Sequence, residues 1–192
     1  MATEHDSVEL VGDELVGNVA RAALFAALMG AAAYVSFPNP LSPIPVTMQV
    51  LVVFLAGIFL GPVWGGASMV LYLVAGSLGA PVFAGGSAGF GALVGPTGGY
   101  LLSYPLAAAV TGAIVHNGVT LGDYRVNTLR LVGAMVAGTV VIYALGTIGF
   151  AFVQNIGLGA AFWVASAAFI PAEAFKIAAA VGIVRSDAIA AN

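Results

Sequence analysis

Long apolar runs, separated by short breaks rich in glycine and proline, dominate the chain. A membrane-spanning helix needs about 20 predominantly apolar residues. With that template the pattern predicts six segments, at about 19–37, 47–60, 63–78, 101–115, 129–152 and 161–184. Only Gly61 and Pro62 separate the second segment from the third, so we expect these two to pack as a tight helical hairpin. The pattern therefore predicts an all-α membrane protein, a six-helix bundle.

Two longer breaks fall on one side of this predicted bundle. Residues 38–45, called the proline loop below, contain too many prolines for regular helix. Residues 80–97, called the glycine loop, are long for a connection and keep apolar side chains between their glycines. Because glycine lets the backbone approach a ligand closely, we expect ordered outer loops that cover a substrate pocket. The alternative is that both loops are ordinary exposed connections.

Composition supports a membrane location and a single domain. Of the 192 residues 61% are hydrophobic and 7% charged, and the mean hydropathy is +1.07, whereas about 25% of residues are charged in soluble domains. We expect a flexible acidic tail at 1–18, a six-helix membrane domain at 19–185 and a C-terminal tail at 186–192. The acidic start does not resemble a secretory signal, so the first helix is expected to be retained.

The arginines predict the orientation in the membrane. With six crossings, Arg21, Arg125, Arg130 and Arg185 all fall on one side of the bundle. The positive-inside rule assigns that side to the cytoplasm. The sequence therefore predicts a multi-pass protein of the cytoplasmic membrane, with both termini in the cytoplasm and both loops on the outer face.

Glu173 and Lys176 are the most informative residues, because they place two charges inside the sixth apolar segment. Lys176 is the only lysine in the chain. At a spacing of three residues the two side chains share a helix face and can pair. Intramembrane charges usually face a bundle interior or a water-filled cavity and mark function. The alternatives are an ion pair that only fixes helix packing, or a lysine that reaches the nearer interface. Pro171 frees one backbone carbonyl and is expected to kink the helix beside the pair.

Other polar residues are weaker candidates. Thr47 and Gln49 follow the proline loop, where Gln49 can donate to and accept from an amide or ureido group; interfacial capping is the alternative. Tyr72 and Tyr100 can offer a ring or a hydroxyl to a ligand, or serve helix packing.

The chain has no cysteine, no Walker A loop and no visible hydrolytic or metal-binding constellation. We therefore expect a protein that is not an enzyme, with no catalytic residue, metal or cofactor.

Five short stretches together resemble the BioY family, the biotin-specific membrane subunits of energy-coupling-factor transporters. They are IPVTMQ at 44–49, GPVWGG at 61–66, GAPVFAGG at 79–86, GPTGGYL at 95–101 and PAEAFK at 171–176. The resemblance implies a six-helix subunit, an S component, that binds biotin from outside. It also implies as partners a transmembrane coupling protein and ATPase subunits.

The resemblance also assigns residues. It implies that Thr47 and Gln49 lie near the ligand, that the loop at 83–91, with Phe83 and Gly86, covers it, and that Glu173 and Lys176 are polar contacts. The family normally has Pro-Gly-Asp before the lysine, whereas this chain has Pro-Ala-Glu, which lengthens the carboxylate arm by one methylene.

Small residues four apart on the first helix dock the coupling protein in this family. Ala23 with Ala27 resembles that pair, and Ala22 with Ala26 fits almost as well.

The residues leave two poses for biotin. Its carboxylate can lie on Lys176, or its ureido ring can lie on the pair of Glu173 and Lys176. Three other functions stay open: a transport subunit for another small vitamin, an intramembrane enzyme with Glu173 as a base, and a structural scaffold.

Overall fold

The computed structural model describes residues 12–122 and 126–186. The helices are α1 Asp13–Tyr34, α2 Gln49–Ser77, α3 Gly98–His116, α4 Thr128–Gln154, α5 Leu158–Ala165 and α6 Ile170–Arg185. Three 3-10 turns lie at Ala84–Gly86, Phe90–Ala92 and Ala167–Phe169. Within the described residues, five segments are long and apolar enough to cross a membrane: α1, α2, α3, α4 and the stretch Leu158–Arg185 that joins α5 to α6.

The ends of α1 differ from the predicted segment at 19–37. The helix begins at Asp13, because Asp13 and Glu14 in its first turn are favourable near the positive end of the helix dipole, which a purely apolar template does not detect. It ends at Tyr34, and Ser36–Phe37 then forms a two-residue strand, β1, antiparallel to β2, Val46–Thr47. In the part of the chain that the structure describes, this short ribbon is the one pair of strands, and it closes the proline loop. Residues 1–11 of the predicted N-terminal tail lie outside the described residues, as do Arg125 and residues 187–192 of the predicted C-terminal tail.

α2 reverses direction at Gly61. The side chains of Gln49 and Tyr72 are hydrogen-bonded at 2.6 Å, although 23 residues of straight helix would separate them by about 34 Å. Gly61 has φ 73° and ψ −179°, a conformation available essentially to glycine alone, and Pro62 follows it. The predicted hairpin between 47–60 and 63–78 is therefore present as two antiparallel arms of α2.

α2 supplies much of the buried core and packs against α1, α3 and α6, while α4 packs against α3, α5 and α6. Close approach of α2 to α3 depends on glycines, which have no side chain. A Cβ on Gly57 would lie 2.4 Å from the carbonyl oxygen of Ala108, and a Cβ on Gly112 would lie 2.6 Å from the nitrogen of Pro62. Small residues of this kind let membrane helices pack at short range.

The sixth predicted segment is not one continuous helix. It breaks at Ser166, whose φ −132° and ψ −55° are not helical, passes through the 3-10 turn and restarts at Ile170. Pro171 stands in the first turn of α6, where its missing N–H costs nothing. The expected kink is thus a full break that lies before the proline.

The bundle has two distinct ends. The loop end carries the proline loop and the glycine loop. The arginine end carries Arg130, whose Nε donates to the carbonyl of Ile114 at 2.7 Å, and Arg185, which donates to the carbonyl of Val126. His116 lies there too, and its Nε2 lies 2.9 Å from the carbonyl oxygen of Ile58. That carbonyl has lost its helical donor, because position 62 is a proline.

Candidate functional site

A cavity of about 220 Å³ opens inside the loop end of the bundle. Its wall combines both loops with every helix from α2 to α6. The lining residues are Ile44, Pro45, Thr47, Gln49, Val50, Phe83, Ala84, Gly85, Ser87, Thr97, Tyr100, Leu101, Tyr104, Ile142, Tyr143, Ala165, Phe169, Glu173 and Lys176. Ten of the 19 are aliphatic residues or phenylalanine, three are tyrosines and six are polar or charged; an apolar wall with a limited set of polar groups is the usual character of a small-molecule site.

Glu173 and Lys176 form a buried ion pair on this wall. Nζ of Lys176 donates to Oε1 of Glu173 at 2.7 Å, and the two residues are 2% and 4% exposed respectively. The lysine therefore does not reach an interface. Oε2 of Glu173 is buried and has no hydrogen-bond partner among the described residues. Both residues line the cavity, so the pair forms part of the wall that a ligand would meet.

A second polar group begins at the ribbon and runs into α2. The hydroxyl of Thr47 donates to Oε1 of Gln49 at 3.0 Å, and Nε2 of Gln49 donates to the hydroxyl of Tyr72 at 2.6 Å. All three residues are buried. Thr47 and Gln49 line the cavity, but Tyr72 lies behind them and holds the amide of Gln49 in place. The structure thus brings the first two to the site and gives the third a supporting position.

Phe83 attaches the glycine loop to α2. Its ring is 1% exposed and meets Tyr72 edge-on, with 5.4 Å between ring centroids and an interplanar angle of 79°. A Cβ on Gly76 would lie 2.2 Å from the tip of that ring, so the missing side chain makes the slot that Phe83 fills. Phe83 lines the cavity. Gly86 does not line it, although both of its sequence neighbours do.

Tyr100 lines the cavity but uses its hydroxyl inside the protein. That hydroxyl donates to the carbonyl of Ala165 and lies 3.2 Å from the hydroxyl of Ser166. The hydroxyl of Ser166 is also 2.7 Å from that of Thr147. These bonds satisfy the backbone and side chain at the break before α6. Tyr100 is therefore positioned to hold the cavity wall and to offer a ring face.

Sequence comparison adds to this geometry. A sequence model of the BioY family matches residues 3–191. The chain belongs to the BioY family. Two BioY relatives match over most of their length. Biotin transporter BioY of Rhodobacter capsulatus is 40% identical over 169 residues, which cover 83% of this chain and 87% of that protein. Probable biotin transporter BioY of Pyrococcus horikoshii is 37% identical over 164 residues, which cover 85% and 91%.

A solved structure has the same fold as this BioY chain. The S-component for biotin from an ECF-type ABC transporter matches with a TM-score of 0.79 and 24% identity, over 92% of this chain and 93% of that one. At that identity the likeness shows the fold alone. Together with the five apolar segments, it makes the chain a multi-pass membrane protein with the fold of an S-component.

The proposed docking residues of this BioY chain lie on α1, a helix that does not line the cavity. Ala23 and Ala27 are exposed, whereas Ala22 is buried and Ala26 half-buried. Exposure separates the two pairs that the sequence left open. Of these two pairs, only Ala23 with Ala27 has both members exposed.

Sequence reasoning missed Tyr104 and Tyr143, which both line the cavity. Tyr143 lies on α4, in the segment 129–152 that was identified only by hydropathy. Its hydroxyl is buried without a hydrogen-bond partner among the described residues. A tyrosine within an uninterrupted apolar helix is the one signal that could have drawn attention to it.

Proposed function

We propose that this protein captures biotin at the outer face of the cytoplasmic membrane, as the substrate-specific subunit of an energy-coupling-factor transporter. The observation that carries the proposal is the buried pair of Glu173 and Lys176, which opens into a cavity of about 220 Å³. Pockets for drug-sized ligands measure roughly 300–1,000 Å³, so this one suits a small vitamin. The names of the BioY relatives support biotin in particular.

The unpaired oxygen of Glu173 favours one of the two poses. Oε2 needs a hydrogen-bond donor, and a ligand carboxylate beside it would add a second negative charge. The ureido ring of biotin supplies two N–H donors and one carbonyl acceptor, and Lys176 has further N–H donors for that carbonyl. We therefore place the ring against the pair and the carboxylate toward the loop end. Biotin methyl ester, which has no free carboxylate, should then bind within about tenfold of biotin, or 1.4 kcal/mol.

Binding of labelled biotin to the purified protein tests the function. Lys176→Ala should weaken binding by well over tenfold, whereas Phe175→Ala, a change at an exposed neighbour on α6, should not. A protein that binds no biotin would refute the proposal. Displacement of biotin by another small vitamin, in a competition panel, would instead favour a related transport subunit.

The proposed orientation has six crossings with both termini in the cytoplasm. The reversal of α2 at Gly61 supports a count of six crossings, and the arginine end supports the cytoplasmic side. Since the chain has no cysteine, single cysteines report without background. On intact cells a membrane-impermeant thiol reagent should label Ser42→Cys in the proline loop and should label Ser186→Cys only after lysis. Labelling of both residues before lysis would refute this orientation.

The proposed partners are a transmembrane coupling protein and its ATPase subunits, which dock on Ala23 and Ala27. Leucine at both positions should block close helix approach and reduce co-purification of these subunits. Leucine at Ala144, an exposed small residue of α4, is the matched control and should leave co-purification unchanged. Equal recovery from the α1 variant and the control would refute docking at this pair.

A further inference from the structure

Two buried polar groups on the cavity wall lack hydrogen-bond partners within the described residues, and they are neighbours on that wall. They are Oε2 of Glu173 on α6 and the hydroxyl of Tyr143 on α4. Roughly 90% or more of buried polar groups in proteins have a partner, and an unpaired one calls for an explanation. The ion pair of Glu173 with Lys176 occupies only Oε1 of the carboxylate. Oε2 and the hydroxyl of Tyr143 remain without a hydrogen-bond partner in the described part of the chain.

Among the described residues, the side of the wall that faces away from the cavity adds no free side-chain partner for these two groups. Glu173 and Tyr143 also border an apolar groove of about 280 Å³ between α4 and α6. The rest of its lining is aliphatic except for Thr139, and the hydroxyl of Thr139 donates to the carbonyl of Met135. Apart from Glu173 itself, this side of the described structure therefore offers no free side-chain partner to Tyr143, and a ligand partner would come from the cavity side.

Two other tyrosines near the cavity, Tyr72 and Tyr100, are already engaged. The hydroxyl of Tyr72 accepts from Gln49, and that of Tyr100 bonds to Ala165 and Ser166. These two hydroxyls hold the wall together. The hydroxyl of Tyr143 has no such internal role among the described residues.

We propose that Tyr143 is a ligand contact, whose hydroxyl donates to the ureido carbonyl of biotin while Oε2 of Glu173 accepts from an adjacent ureido N–H. The inference rests on the proposed function. It adds a residue on a different helix, so that both α4 and α6 contact the ring. The chemical class that fits is a cyclic urea or a related amide, because such a group presents a donor beside an acceptor.

Tyr143→Phe tests this contact, because it removes the hydroxyl and keeps the ring. We expect affinity for labelled biotin to fall by about tenfold, which corresponds to 1.4 kcal/mol. The Tm of the ligand-free protein should stay unchanged or rise, since the variant removes an unpaired buried polar group. Tyr100→Phe is the matched control: it removes a satisfied hydroxyl from the same wall and should lower the Tm.

A second arm identifies the group that Tyr143 contacts. The affinity loss in Tyr143→Phe should be the same for biotin and for biotin methyl ester, because the ester changes only the carboxylate. A loss that vanishes with the ester would place Tyr143 on the carboxylate and overturn the proposal. An ester that the wild-type protein does not bind would overturn the pose, and this contact with it.

The outcomes distinguish failure of the proposed function from failure of the Tyr143 contact. A wild-type protein that binds no biotin refutes the proposed function itself. A wild-type protein that binds biotin, beside a Tyr143→Phe variant of equal affinity, refutes only the contact. A lower Tm in Tyr143→Phe would mean that the hydroxyl is satisfied within the protein, and that result also overturns the contact.

Discussion

Replacement of one or both members of the buried ion pair separates a role in ligand binding from a role in packing. Lys176→Met removes the partner of Oε1 and leaves Glu173, which is 4% exposed, with neither oxygen paired. Breaking a buried pair in this way typically costs about 3–5 kcal/mol of stability. Glu173→Met together with Lys176→Met removes both charges, and such apolar replacements are often neutral or stabilising. We expect the double variant to be within about 1 kcal/mol of the wild-type protein, or more stable.

Ligand binding should not follow stability in this series. Hydrogen bonds to charged groups contribute about 1.5–3 kcal/mol each, so the loss of one contact predicts about 10-fold to 150-fold weaker biotin binding. The double variant loses contacts on both residues and should fall at the upper end of that range or beyond. Thermal unfolding in detergent measures the stability of each variant, and equilibrium binding of labelled biotin measures its affinity.

The critical comparison is between the single and the double variant. If the pair only fixes helix packing, a restored Tm in the double variant should restore biotin affinity as well. If the pair contacts the ligand, the double variant should be folded and unable to bind. A stable double variant with wild-type affinity would refute the role that we give to both residues.

Three further changes test the supports around the cavity. Gly76→Ala should force the ring of Phe83 out of its slot, where the added Cβ would lie 2.2 Å from it, and should weaken biotin binding; Gly133→Ala, with open space around it, should not. His116→Ala should lower stability by about 1–3 kcal/mol, because it removes the partner of a buried carbonyl at the arginine end, and should leave the affinity of the folded protein unchanged. Gly61→Ala should cost about 1–3 kcal/mol, because φ 73° is strained for alanine. Thermal unfolding and biotin binding should be measured on the same preparations of all three variants. If stability and biotin affinity changed together in every variant, these predictions would be wrong.

Hydropathy and glycine placement were sufficient to predict much of the architecture. Each apolar segment overlaps a helix of the bundle, and Gly61 with Pro62 identified the reversal of α2, since a glycine with positive φ followed by a proline cannot continue a helix. The spacing of Glu173 and Lys176 likewise predicted a contact on one helix face, and a 2.7 Å ion pair is present. Each of these features depends on residues close together in sequence.

The features that escaped prediction depend on contacts between distant segments. The break at Ser166 contains neither glycine nor proline; it is held by Tyr100 and Thr147 from two other helices. Tyr72 contacts Gln49 only because α2 reverses direction at Gly61, so that the two residues lie on facing arms of the helix. No local pattern shows which way the hydroxyl of Tyr143 points. The start of α1 at Asp13 is a smaller case, in which helix electrostatics extend the helix beyond its apolar part.

The break before α6 also explains why the cavity lies at the loop end. Irregular backbone at membrane depth is tolerated only where the protein satisfies its polar groups. Here Tyr100 donates to the carbonyl of Ala165, and Nδ2 of Asn39, in the proline loop, donates to the carbonyl of Ala168 at 3.3 Å. The break is thus stable only because α3 and the proline loop come to it, and the cavity is the space that these segments enclose. The glycine loop closes the same space through Phe83 and through the N–H of Gly89, which donates to the carbonyl of Gly76 at 2.7 Å. Both loops are therefore part of the wall that a ligand in the cavity would meet.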